Sequence, residues 1–505
     1  MQRVFFFFVL GVLLVFTSCS SSIPNNPDPG GGAEEPAFNL YFGDIHAHTA
    51  YSNDALMIQL FASGEENVSR RRPLRRGVAD IVDQYLTVAS TPSSAIQHAR
   101  ENGLDFVAIT DHAEQIDIPG DALLLGGNPP EWEQLQQVCN EQNGQDLVVF
   151  IGFEFTKTAA TDTTARATEM LPGGGHKCVI FKDSNVPAQP FPATDQTTPE
   201  DLWNYLQGYD CITIPHHPAR GEGAESGGLL AFSGTYGLQN WIFDEIAMST
   251  DWDFIPSDHG FSPGIMPAVE IFSVHGSSEA EGYADLVPGF DPNRSVESAL
   301  NRWFLSGYKP DYKLGIVGST DDHLGNPGNT NTDQLEEGKQ ALVPEEGDFS
   351  GGLIGAWAQE KTRASIFEAI EDKRVYATTG PKIQLEFSAT YQGTKYWMGQ
   401  TVPLQVGDAL EYSFRAVGDT APLDYVEVIF VRSTGPGTFE TIRATHDAVD
   451  GTAYSLDLSA MTGNAYVRVT AYQQQTTRWQ WNGTSFDALP TRERAFSSPI
   501  WIEVQ

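Results

Sequence analysis

The sequence predicts an α/β fold: a barrel-like sheet built from seven strand repeats, followed by an antiparallel β-sandwich. Three observations predict it. Seven short apolar runs recur at 38–45, 104–110, 147–155, 178–181, 211–215, 268–272 and 314–319. Helical stretches lie between or after them, at 92–102, 130–140, 198–207, 295–305 and 363–373. From about Ile383 the pattern changes to alternating strands at 383–387, 409–416, 425–432, 453–458 and 466–472. The first seven runs are nearly continuous in apolar residues, as strands buried on both faces are, and strand–helix alternation argues for a parallel sheet. In a barrel of that kind, chemistry gathers at the C-terminal strand ends.

At 505 residues the chain has room for two or three domains, and its 40% apolar and 11% aromatic content is that of a globular core. A formal net charge of −36, from 66 acidic and 30 basic residues, argues against nucleic-acid binding, which needs a basic footprint. Arg3 and the apolar run 4–16 form a targeting segment too short to span a bilayer. Phe16-Thr17-Ser18-Cys19, ahead of Ser20-Ser21-Ser22, resembles a bacterial lipoprotein signal. That likeness implies cleavage before Cys19, a lipid on Cys19 and anchoring in the bacterial cell envelope, at the outer membrane or periplasmic face. Residues 1–19 are then signal peptide, 20–37 a flexible Pro/Asn/Gly-rich tether, 38–382 the barrel domain and 383–505 the sandwich.

The strand ends carry the chemistry. His46 and His48 close the first run at i and i+2, so both imidazoles point the same way and can share one metal ion. Later runs deliver Asp111-His112, Glu154, His216-His217-Pro218 and Asp321-Asp322-His323, while Gly174-Gly175-His176 precedes a strand. Seven of the 11 histidines lie in these clusters, which a random surface scatter would not produce. Cys178 and Cys211 begin strands beside the histidine clusters and could be zinc ligands, but no CxxC spacing supports that, and with Cys139 they read better as buried small hydrophobes or as one disulfide with a free thiol left over.

His-x-His, Thr-Asp-His, a Gly-x-Glu strand end, His, His-Pro and Gly-Ser-x-Asp-x-His, in that order, are similar to the PHP superfamily, named for polymerase and histidinol phosphatase. Trp357-Ala358-Gln359-Glu360, the stretch from Arg374-Val375-Tyr376 to Gly380, and Ser497-Ser498-Pro499-Ile500-Trp501 look like one branch of it, the domain-of-unknown-function family 3604. The resemblance implies a distorted (β/α)7 barrel holding two or three divalent ions (zinc, manganese or iron) and hydrolysing phosphoesters. By position it implies His46, His48, Glu154 and Asp321 on a first ion. It implies Glu154, His176 and His217 on a second, and Asp54, His112 and His323 on a third. His217 is favoured over His216 because His-Pro matches the motif. Asp111 and Asp322 would orient imidazoles. With three ions, six positive charges meet Asp54, Glu154, Asp321 and one hydroxide, leaving about two positive charges for an anionic phosphate.

The implied mechanism is in-line attack by hydroxide held on the metal, with Asp321 central. His275, after the sixth run, is a candidate contact to substrate or leaving group. Arg374 and Arg220 are candidate anion binders, although Arg374 equally suits a structural role between the domains. Five arginines within residues 70–76 could steer an anionic substrate or form a solvated loop. The leading reading is an extracytoplasmic metal-dependent phosphoesterase acting on a small anionic ester. The alternatives are a metal-dependent hydrolase of an amide, lactone or sulfate ester, and a non-catalytic metal-containing binding lipoprotein.

Overall fold

The computed structural model describes residues 37–52, 55, 90–116, 130–156, 174–193, 197–221, 249–330, 349–449, 451, 453–458, 463–481 and 486–505. The targeting segment, the tether up to residue 36, Asp54 and the arginine-rich stretch 70–76 lie outside them. No helix among the described residues is long and apolar enough to cross a membrane.

Each expected apolar run contains a strand: β1 (Asn39–Asp44), β2 (Phe106–Ile109), β3 (Val148–Phe155), β4 (Lys177–Phe181), β5 (Cys211–Pro215), β6 (Ala268–Ser273) and, after the short β7 (Gly276–Ser277), β8 (Gly315–Gly318). Two strands absent from the sequence reading follow, β9 (Leu353–Ala358) and β10 (Val375–Thr378). The helices α1 (Pro92–Glu101), α2 (Glu131–Gln142), α3 (Pro199–Tyr205), α4 (Val296–Leu305) and α5 (Arg363–Glu371) fall on the predicted stretches. Their starts are locally encoded. Thr91 Oγ1 accepts from the Ser94 N–H ahead of Pro92, and Thr198 and Asp201 close a reciprocal capping box around Pro199.

The strands form a mixed α/β fold with a large open sheet, not a closed parallel barrel. β1, β2 and β3 are parallel, but β4 runs antiparallel to both β3 and β5. β9 pairs antiparallel with β1 and so occupies the edge that a closing strand would use. β6 and β8 pair in parallel within a separate three-stranded sheet that includes β7. Apolar continuity reports burial on both faces, but strand direction is set by hydrogen-bond pairing, which leaves no such mark.

Both faces of the central strands are indeed buried. Val107, Ile109, Val149 and Ile151 pack beneath α1 and α2. Phe106, Ala108, Val148 and Phe150 face the opposite way, into a core shared with Ala268 of β6 and Val317 of β8. Gly152 permits the close approach of β4, because a Cβ there would meet the Val179 carbonyl oxygen at 2.6 Å and Thr110 Cγ2 at 2.8 Å.

The C-terminal strands are β11 (Gln384–Tyr391), β12 (Thr394–Trp397), β13 (Thr401–Leu404), β14 (Leu410–Val417), β15 (Leu423–Gly435), β16 (Thr438–Asp447), β17 (Ala453–Leu458), β18 (Ala465–Gln473), β19 (Thr476–Trp481), β20 (Phe486–Thr491), β21 (Arg494–Ser497) and β22 (Ile500–Val504). β12, β11, β14 and β17 make a four-stranded antiparallel sheet. It packs through Leu385, Phe387 and Tyr412 onto Val428 of β15 and Val467 of β18. The predicted sandwich is therefore present as two layers, but its second layer continues the first sheet through the β10–β21 ladder. The expected boundary at 382/383 thus falls within one hydrogen-bonded sheet, and β13 runs parallel to β22.

Buried ions join the same two regions. Arg468 lies 2.8 Å from Glu279, Arg478 lies 2.9 Å from Asp285, and Arg494 lies 3.0 Å from Asp285.

Candidate metal centre

Backbone pairing beyond the strand ends assembles the site. The chain past β1 stays extended beside the chain past β8: the Asp321 N–H donates to the His46 carbonyl and the His48 N–H to the Asp322 carbonyl, both at 2.9 Å. A parallel bridge likewise sets His112 beside Glu154. Because β4 is antiparallel, its beginning lies beside the end of β5, and the His216 N–H reaches the His176 carbonyl at 3.4 Å. This explains how a histidine that precedes its strand meets others that follow theirs.

Four donor atoms converge first. His46 Nε2 lies 3.1 Å from His48 Nε2, and 3.3 Å from both Glu154 Oε2 and Asp321 Oδ1. His48 Nε2 lies 3.3 Å from Glu154 Oε2 and 3.1 Å from Asp321 Oδ1. An ion held at about 2.0 Å by four tetrahedral donors spaces those donors about 3.3 Å apart. The cluster therefore fits a divalent metal ion, and all four side chains are buried.

Glu154 turns its other oxygen to a second group, with Oε1 2.9 Å from His176 Nδ1 and 2.9 Å from His216 Nε2. The sequence prefers His217 over His216 as the ligand here; both rings enter the cluster with His176, and His216 is the one that lies on Glu154. An extended strand would send consecutive side chains to opposite faces. His217 has φ 32°, a left-handed turn that brings both inward. A third histidine group, His48, His112 and His323, also has ligand atoms within 4.8 Å of one another. His112 Nδ1 lies 2.9 Å from Glu154 Oε2, and the His323 ring stacks on His48 at 4.2 Å. Asp54, expected beside this group, lies outside the described residues.

The electrostatics favour a cation. Burial opposes ionisation of Glu154 and Asp321. The imidazoles of His112 and His216 nevertheless hold Glu154 well below the usual carboxylate range, and His46 does the same for Asp321. Burial pushes His48 down to about 3 and His176 down to about 4, leaving neutral rings with lone pairs to give. For His46, burial works against charge, but Asp321 prevails and raises it well above its ordinary value. A positive charge is drawn to that point, and a metal ion would displace the proton.

Supporting residues lie behind the donors. Ser52 Oγ lies 3.0 Å from His48 Nδ1 and donates to Asp111 Oδ1 at 2.8 Å, so Asp111 orients His48 through Ser52. Asp322 holds its own loop, accepting from the N–H groups of Leu324 at 3.1 Å and Asn326 at 2.5 Å. Asp44, missed in the sequence although it neighbours His46, accepts from the N–H groups of Thr320 at 3.0 Å and Gly328 at 2.9 Å, tying the β8 exit to β1. The three cysteines are free and buried, which excludes a disulfide among them. Cys178 pairs in register with Glu154 and lies near His46 and His216. Ser52→Ala is expected to weaken metal affinity about 10- to 100-fold with the fold intact, measured by competition with a chelator.

Of the expected catalytic residues, His275 joins the cluster, with Nε2 3.0 Å from Asp321 Oδ2. Arg374 does not. It precedes β10, level with the start of β1, where it binds Glu368, Asp372 and the Trp357 carbonyl and stacks on Phe38. That is about 20 Å along the strand from His46, so its role there is structural. Arg220 is buried next to the cluster, and its N–H donates to the His217 carbonyl at 3.0 Å.

A mixed α/β fold with a buried histidine–carboxylate cluster that can hold metal defines a candidate metalloprotein. The chain belongs to the family described as "Protein of unknown function (DUF3604)", whose profile matches residues 35–122, 127–226 and 305–409. No curated protein matches it.

Proposed function

We propose that this chain is a metal-dependent phosphoesterase of the PHP type, exported and lipid-anchored through Cys19. The observation that carries the reading is Glu154, which presents Oε2 to His46 and His48 and Oε1 to His176 and His216. A carboxylate with imidazoles on both sides suits a pair of neighbouring ions, the arrangement used to grip both ends of a phosphoester displacement. On this reading, β1 to β8 correspond to the distorted (β/α)7 barrel of that superfamily, opened by the antiparallel β4 and β9.

Divalent ions bound here supply Lewis acidity and bring the pKa of water towards about 7. The protein's own contribution is placement. His46, His48, Glu154 and Asp321 would hold the first ion, Glu154, His176 and His216 the second, and His112 and His323 a third, with Asp54 the further ligand that the resemblance implies. Arg220, buried beside His217, supplies a fixed positive charge for the phosphate. Burial of the donors excludes bulk water and strengthens each of these interactions.

The test uses protein beginning near Glu34, loaded in turn with manganese, zinc or iron, and paired nitrophenyl phosphate monoester and diester substrates. Metal-dependent turnover that His46→Ala abolishes is the expected result. Bound metal without turnover on either ester would instead favour a hydrolase of another bond or a binding lipoprotein.

A further inference from the structure

We propose that the consecutive histidines His216 and His217 serve different metal ions, and that His217, His275 and Asp321 form a cation site of their own. The place beside Glu154 Oε1 is already filled by His176 and His216, each at 2.9 Å. His217 has a second set of neighbours. Its ligand atom lies within reach of those of His176 and His216, and equally forms a group with one from His275 and one from Asp321 in which all lie within 4.8 Å of one another. His275 Nε2 is 3.0 Å from Asp321 Oδ2, and the His217 and His275 rings are 5.4 Å apart, edge to face.

Asp321 is divided as Glu154 is. Oδ1 faces His46 and His48, while Oδ2 faces His275 at 3.0 Å and lies farther, 3.8 Å, from His216 Nδ1. Each carboxylate thus offers one oxygen to the first ion and one to a neighbour. The backbone supports the same conclusion. His217 and Asp321 have φ 32° and 56°, conformations that side chains other than glycine seldom adopt. Glu270 pins the first of them by accepting from the His217 N–H at 3.1 Å. His217 Nδ1 is buried with no hydrogen-bond partner among the described residues. A histidine that merely oriented Asp321 would need His275 alone. It would explain neither the third donor nor its strained backbone. Two imidazoles and one carboxylate are a donor set for zinc that leaves a position open to water or substrate. This site is separate from the His48, His112 and His323 group, and it binds metal whatever bond the protein cleaves.

Zinc bound per chain, measured on the purified full-length protein by equilibrium dialysis and elemental analysis, tests this. His217→Ala and His275→Ala should each bind one ion fewer than wild type, and their double variant no fewer than either single. His216→Ala should lose a different ion, so that His216→Ala with His275→Ala binds two fewer. A His275→Ala protein with the wild-type zinc count and a weakened first ion would overturn the proposal and make His275 a positioning residue. Anomalous scattering from zinc-loaded wild-type crystals decides the matter without any variant. A peak between His217, His275 and Asp321 is expected, and its absence while the Glu154 sites are filled would overturn the proposal.

Discussion

Replacing Glu154 with glutamine is expected to remove more metal than any other single substitution and to lower turnover by about 10³-fold or more. Its two oxygens lie within 3.3 Å of ring nitrogens on His46, His48, His112, His176 and His216. Among the described residues, Asp321 has three histidines within that distance, His46, His48 and His275. Glu154→Gln keeps the shape, but it removes the negative charge and turns one ligand oxygen into an N–H donor aimed at a cation. In the proposed phosphoesterase, several kcal/mol of charge stabilisation at the transition state would depend on the ions, and each 1.36 kcal/mol is about tenfold in rate. Metal content per chain and kcat on a nitrophenyl phosphate ester, compared with His46→Ala, measure both effects. A Glu154→Gln protein that retained its full metal complement would show that the histidine groups bind independently and that Glu154 does not join them.

The largest effect on stability is expected far from the metal donors. Asp285 is buried and accepts from Arg478 at 2.9 Å and from Arg494 at 3.0 and 3.1 Å. Burial opposes its charge, but Arg494 and Arg478 outweigh that and hold its carboxyl below the ordinary range. Asp285→Ala leaves buried Arg478 with Glu493 alone and buried Arg494 with only a 4.0 Å contact to Glu279, a change that costs about 3–5 kcal/mol. In a chain of 505 residues that lowers Tm by about 3–5 °C. Calorimetry on Asp285→Ala and Asp285→Asn checks it, with the asparagine variant expected to lose less because it keeps an acceptor. A Tm within a degree of wild type for both would mean that the arginines find other partners. The network ties the segment after β7 to β19 and β21.

Much of the centre was legible in the residues. His46, His48, Glu154, His176, His112, His323 and Asp321 all fall in the cluster because metal ligation draws on few residue types and strand ends concentrate them. Arg374 stayed open between an anion site and a structural role, because a conspicuous arginine before a strand says nothing about which end of its neighbour it will meet. Ser52 and Asp44 were missed because they act through hydrogen bonds that no spacing announces. Cys178 was ranked low as a ligand for want of a CxxC spacing, because its position opposite Glu154 depends on the register of β3 and β4.

The sequence by itself determined the burial of each strand, the helix starts at Thr91-Pro92 and Thr198-Pro199, and the stock of donor side chains. These are recorded within a few neighbouring residues, through side-chain period, capping and ligand chemistry. Only the tertiary structure decided that β4 and β9 run antiparallel, that the sandwich extends the first sheet, and that His216 rather than His217 meets Glu154. Those outcomes depend on pairing between segments far apart in the chain. Asp321 reaches His46 through a hydrogen bond between backbones separated by most of the protein. No local pattern specifies such a partner, because strand pairing is chosen by the energy of the whole packed sheet.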